Sequence, residues 1–269
     1  MIRKLGLVAV TLVLLLLVYA FLAGPLFPYA PFTLGYERVQ YERTEVLAYD
    51  VNQLPAHFAH GDAIQAEAEA HFGLRFRKPI YVLALGSKRE FRRSLPWMNP
   101  DVVGAAALET GDIVLVNREK ISETAYNEAE FLRHEIVHAL QFQNSPLRHR
   151  LTMHRHIWMR EGVAVHFGGP TYYATPADYR IAFKEYQPGV NPDETSPDIW
   201  LRVPATDARF SYTFYGRFIT YLVDTYGLAA FQDFYARYLK APQQFRQHAA
   251  TVFADDFSVI QHAFLAELP

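Results

Sequence analysis

The chain has 269 residues, of which 51% are hydrophobic and 20% charged, with a formal net charge of −2 and no cysteine. This is the composition of a folded protein with ample core, long enough for one large catalytic unit or two small domains. The near-neutral charge argues against nucleic acid as a partner, and the missing cysteines exclude disulfides, thiolate metal ligands and thiol nucleophiles.

The N-terminus opens Met1-Ile2-Arg3-Lys4, followed by an uncharged run over 5–24. A run of about 20 residues is long enough to cross a bilayer as a helix. Arg3 and Lys4 would stay cytoplasmic and the remainder would lie outside, on the periplasmic side in a bacterial cell. Tyr19 and Phe21 fall where an interfacial aromatic belt is expected. A cleaved signal peptide has a shorter apolar stretch and small residues before its cut. A cut after Ala23 would place bulky Phe21 at the −3 position, which favours an uncleaved signal anchor. The chain therefore divides into a cytoplasmic tip and anchor (1–24) and a catalytic domain (25–269), whose 25–120 part is mixed and whose 121–269 part is helical.

Beyond the anchor, 24–31 is a proline-rich exit segment. Residues 36–48 mix β-branched and aromatic residues with charges, as a strand does. Residues 56–72 predict a helix ending at Gly73. Residues 79–85 read as a buried strand, 87–95 as a short helix stopped by Pro96, and 101–108 as loop or strand. The turn Thr110-Gly111-Asp112 leads into a strand over 113–116, a candidate edge for pairing with an extended peptide. Asn127 and Glu130 form a helix-start signal. After them Ala129, Leu132, Ile136, Ala139, Leu140 and Phe142 recur at helical spacing as far as Asn144-Ser145-Pro146.

After Pro146 comes a basic, histidine-rich stretch, Arg148-His149-Arg150 and His154-Arg155-His156. It reads as a solvated loop, with contact to substrate or anionic lipid as the functional alternative. Residues 157–167 predict a second helix. Residues 172–201 are rich in Pro, Tyr and Asp and read as a long loop over the site. Helices are expected over 212–226 and 228–239, broken at Gly227, and over 256–268. The fold class is α+β: a small, mainly antiparallel sheet in the N-terminal half and a helical C-terminal half.

The chemistry concentrates in His134-Glu135-Ile136-Val137-His138. Residues four apart share a helix face, so both imidazoles can hold one Zn²⁺ with Glu135 beside it as general base. Catalytic zinc sites take three protein ligands and leave one position open. The extended pattern with a glycine and a third histidine fails, because Gln141 and Asn144 stand at those positions. Glu161, on the following helix, is the candidate third ligand. His149, His154, His156 and His166 are alternatives better read as surface or packing residues.

Trp158-Met159-Arg160-Glu161-Gly162-Val163-Ala164 resembles the Trp-Leu-x-Glu-Gly-x-Ala segment of gluzincin metallopeptidases. The likeness is to the peptidase MA-like families and, more distantly, to the M1 aminopeptidases. It implies a zincin-like fold, zinc held by His134, His138 and Glu161, and Glu135 as the catalytic base. Residues 211–222 resemble the family helix whose first tyrosine maps onto Tyr212, the implied oxyanion donor, with Tyr215 one turn further on as the alternative. Asp255-Asp256-Phe257 through Phe264 is similar to the family's last helix. Where M1 enzymes carry a glutamate that holds the substrate's amine, Gly104-Ala105-Ala106-Ala107 has alanine, and Glu109 lies two residues later. That departure, with the much larger size of the M1 enzymes, favours an endopeptidase or a protease with a narrow partner. The expectation is a membrane-anchored zinc metallopeptidase acting on a peptide or protein. The alternatives are a non-catalytic tethered domain that binds a partner, or a zinc amidase acting on a non-peptide or cell-wall amide.

Overall fold

A computed structural model gives the structure of residues 2–22, 26–29, 35–124, 127–150, 157–169, 177, 180–181 and 208–268. The N-terminal run forms helix α1 (Ile2–Leu22), about 31 Å long at 1.5 Å per residue. Its described side chains from Val8 to Val18 are exposed. No helix among the described residues is long and apolar enough to cross a membrane, so the anchor rests on the sequence run. After α1 the chain makes a short 3₁₀ turn (Phe27–Tyr29) and buries Phe27 against Tyr36, with ring centroids 4.9 Å apart.

The five strands are β1 (Glu37–Gln40), β2 (Thr44–Ala48), β3 (Ile80–Leu85), β4 (Ala105–Ala107) and β5 (Ile113–Asn117). Their spatial order is β1-β2-β3-β5-β4. The single strand expected over 36–48 is in fact the β1–β2 hairpin. Its turn is held from a distance: Glu42 N and Arg43 N both donate to the Asp62 carboxylate, at 2.8 and 3.1 Å. The sheet is mixed, with β2, β3 and β5 parallel and only the outer pairs antiparallel, which corrects the mainly antiparallel sheet expected. The reason lies in the crossovers. Helix α2 (Gly61–Phe72) links β2 to β3, helix α3 (Lys88–Ser94) follows β3, and strands so covered on both faces are continuously apolar. β5 is also not an edge. It lies between β3 and β4, and β4 is the edge strand.

Alternation along the strands sends side chains to two faces. Val46, Val82, Ala84, Val114 and Val116 form one core, while Leu47, Leu83, Leu85, Ile113 and Leu115 pack with Phe27, Phe91 and Leu95 in another. After β5 come α4 (Arg118–Ser122), α5 (Glu128–Asn144), α6 (Leu147–Arg150) and α7 (Ile157–Gly168). Then follow α8 (Ala208–Tyr226), α9 (Leu228–Lys240), α10 (Phe245–Phe253) and α11 (Phe257–Glu267). The loop read over 148–156 is partly helical, as α6; 151–156 lie outside the described residues, as does most of 172–201. Asn127 caps α5 as expected, its side chain accepting from Ala129 N at 2.9 Å.

α5 lies between the two halves of the molecule. Leu132, Ile136 and Ala139 enter the sheet core, whereas Val137, Leu140 and Phe142 enter an aromatic-rich core built by α7 through α11. Both cores are therefore needed to fix the helix that carries the motif.

Candidate metal centre

His134, His138 and Glu161 are all buried, and their ligand atoms lie within 4.8 Å of one another. His138 Nε2 is 3.1 Å from His134 Nε2 and 3.2 Å from Glu161 Oε2, and His134 Nε2 is 3.3 Å from that same oxygen. Three atoms each about 2.0–2.1 Å from one tetrahedral zinc would be ~3.3–3.4 Å apart. The observed triangle is close to that face, so these residues fit a zinc ion without rearrangement. Two imidazoles and a carboxylate match catalytic rather than structural zinc chemistry. The other histidines considered as ligands do not join the triangle. His149 Nε2 accepts from Arg148 Nε and His166 pairs with His71; His154 and His156 lie outside the described residues.

The i, i+4 spacing on α5 sets the two imidazoles on one face. α7 brings Glu161 to them through close backbone contact. A Cβ on Gly162 would lie 2.7 Å from the Tyr215 carbonyl oxygen, and one on Gly168 about 3.0 Å from His134. Glycine at both positions lets α7 seat between α5 and α8.

Two further residues complete the arrangement. Arg160 donates from Nε (2.9 Å) and Nη2 (2.7 Å) to Glu161 Oε1, leaving Oε2 to face the histidines. Gln141 donates from Nε2 to the Arg160 carbonyl at 2.9 Å, so its Oε1 faces His138 Nδ1 at 3.0 Å and accepts its proton. That fixes the tautomer with Nε2 bare, as a metal ligand requires. The sequence reading missed both. Gln141 stands where the extended pattern needs a glycine, although its place three residues after His138 puts it on the ligand face; Arg160 occupies a variable position beside Glu161. His134 Nδ1 is buried with no partner among the described residues.

Burial alone would push the Glu161 carboxyl up, but His138, His134 and Arg160 outweigh it and hold the carboxyl well below its ordinary range. Burial likewise opposes charge on His138, but Glu161 reverses the balance and raises the imidazole. A metal ion bound at this triangle would displace the proton that the Glu161 charge favours on His138, which couples binding to proton release.

The triangle opens on a cleft of about 520 Å³ that also contains Glu135, Arg160, Tyr212, Glu109 and Lys120. Val103, Ile121 and Phe131 form apolar wall, and edge strand β4 lines one side. The Tyr212 ring lies nearly parallel to the His134 ring, at 6.4 Å between centroids and 19° between planes. The Glu161 charge, followed by burial, pushes its phenol far above its ordinary range, so it remains a proton donor. Tyr215 is buried at the α7–α8 contact and is not among the residues lining the cleft. Asn144, at the place of the third histidine in the failed pattern, instead donates to the Arg75 and Leu140 carbonyls. No protein-family model matches the chain, and comparison with curated proteins finds no match.

Proposed function

We propose that this chain is a membrane-anchored, zinc-dependent metallopeptidase of the gluzincin type. The observation that carries the reading is the convergence of His134 Nε2, His138 Nε2 and Glu161 Oε2 on one point, with Glu135 in the same cleft. When bound, zinc would supply a Lewis acid for the scissile carbonyl and a water of lowered pKa. Everything else falls to the chain. Glu135 takes the proton of the attacking water and returns it to the leaving amine. Tyr212 donates its phenolic proton in a hydrogen bond to the developing oxyanion. Gln141 and Arg160 hold the ligands, and the apolar walls of the cleft limit water access.

Edge strand β4, which lines the cleft, suits an extended peptide, which would add as a strand through main-chain hydrogen bonds. That role, expected of 113–116 from the sequence, passes to Ala105–Ala107, because β5 is internal. The uncharged run of α1, with Arg3 and Lys4 before it, supports a single-pass anchor with the catalytic domain outside the cytoplasm.

The test is metal analysis of the full chain together with cleavage of a mixed peptide pool. Wild type should hold one zinc and cleave. Glu135→Gln should hold zinc and cleave nothing, and Glu161→Ala should lose both. Well-folded wild type that holds no zinc would overturn the reading.

A further inference from the structure

The end of α1 is fastened to the catalytic domain. Tyr19 Oη donates to the Arg93 carbonyl at 2.5 Å, on the last turn of α3. Phe27 and Tyr29 continue the attachment, packing against Tyr36 and Tyr81 at 4.9 and 5.4 Å between ring centroids. Tyr19 stands three residues before the helix end at Leu22, or about 4.5 Å along its axis. Whatever surrounds the last turn of α1 therefore also meets the end of α3 and the chain that follows it.

That following chain has an unusual surface. Trp97 is 65% exposed and Val102 70%. Tryptophan with its ring in contact with solvent is the side chain most favoured at a lipid–water boundary. Beside it, α3 exposes Arg89, Arg92 and Arg93. The acidic neighbours are largely engaged. Glu90 accepts from Gly86 N at 2.9 Å, and Asp101 pairs with Lys88 at 3.2 Å and with Arg92 at 3.9 Å. The patch is apolar at its tip and basic at its side, which complements an anionic lipid surface. The same loop supplies cleft wall through Met98, Val102 and Val103.

Resting on the anchor reading of α1, we infer that the loop from Pro96 to Val102 and the basic face of α3 lie on the bilayer into which α1 inserts. The mouth of the cleft is then held at the lipid surface. The substrates this geometry selects are polypeptide segments emerging from the same membrane, and freely diffusing proteins are disfavoured.

The experiment uses the full chain in nanodiscs of phosphatidylcholine and phosphatidylglycerol, with acyl chains either plain or brominated near the headgroup. Bromine quenches tryptophan on contact. The chain has three tryptophans; Trp158 is fully buried in the helical core, and Trp200 contributes equally to wild type and variant. Brominated lipid should quench wild-type emission, and in Trp97→Phe the quenching should be smaller. Phenylalanine at so exposed a position leaves the fold intact. Incorporation with equal quenching in both proteins overturns this inference and leaves the anchor and the peptidase reading standing. Failure to incorporate into the discs overturns the anchor and this inference with it. Neither result depends on bound metal or on turnover.

Discussion

Gln141 joins two helices through a single amide: its Oε1 faces His138 Nδ1 at 3.0 Å, and its Nε2 donates to the Arg160 carbonyl at 2.9 Å. The residue is fully buried, so no solvent can replace either bond. Gln141→Leu is expected to weaken zinc binding by about 10- to 100-fold, the usual cost of removing a partner behind a metal ligand. Gln141→Glu, which keeps the acceptor for Nδ1–H, should recover part of the loss. Competition with a chromophoric chelator measures both. An unchanged dissociation constant in the leucine variant would remove Gln141 from this role.

Gly162 is where α7 meets α8. An alanine methyl there would sit 2.7 Å from the Tyr215 carbonyl oxygen and 2.9 Å from Ile219 Cγ1. Gly162→Ala should destabilise the fold by about 1–3 kcal/mol, as overpacking does, and should shift Glu161, its neighbour in sequence. Urea denaturation and zinc content together read the outcome. A variant with wild-type stability and full zinc would show that the contact yields freely.

Tyr212→Phe removes a donor while keeping the ring stacked on His134. Zinc affinity should be unchanged and kcat should fall by ~10²-fold or more, with KM little altered. Tyr215→Phe, made at a buried packing position away from the cleft, should leave kcat close to wild type. If the two variants exchange these phenotypes, the oxyanion assignment is wrong.

A pair of histidines predicts pH-dependent stability. His71 Nε2 and His166 Nε2 are 3.0 Å apart. Thr220 Oγ1 donates its proton to the Gly216 carbonyl and so accepts from His166 Nδ1. Neutral His166 therefore accepts at Nε2 from His71 Nε2–H. Burial, then the neighbouring His71, push His166 down to about 4, and burial also lowers His71. Below the unfolded value of about 6.5 the unfolded chain takes up protons that the folded chain refuses. This contribution to stability is therefore complete above about pH 6.5 and declines as pH falls toward 4, by on the order of 1–2 kcal/mol given partial exposure. Urea midpoints across that window test it. His166→Gln should be less stable than wild type at pH 7 but flatter below it, and an equally steep fall in the variant would place the sensitivity elsewhere.

Local signals in the sequence carried far. Asn127 predicted the start of α5, Gly73 the end of α2 and Gly227 the break between α8 and α9, because caps and glycine turns act over a few residues. Strand direction was not legible. The runs 80–85 and 113–116 are apolar throughout, and nothing within them distinguishes a parallel neighbour from an antiparallel one. The β1–β2 turn was missed because the carboxylate that holds it, Asp62, lies about twenty residues further along. α10 is hard to see in the sequence because its apolar stripe is short and follows the 3₁₀ turn Pro242–Gln244. At the candidate metal centre, the grouping of His134, His138 and Glu161 was readable from spacing and from resemblance. Gln141 and Arg160 were not, since their roles arise only when α5 and α7 pack together.

α5 contributes to two cores at once, with Ile136 facing the sheet and Val137, the next residue, facing the helical half. The boundary near residue 120 is thus a change of texture in the chain, not a seam in the molecule. Either part expressed alone would leave one flank of this helix bare and the histidines without a fixed frame. Cofragments would need to reassemble before either could take up metal. The amide protons at the centre of α5 should be the last to exchange, released only when the sheet and the helical half open together.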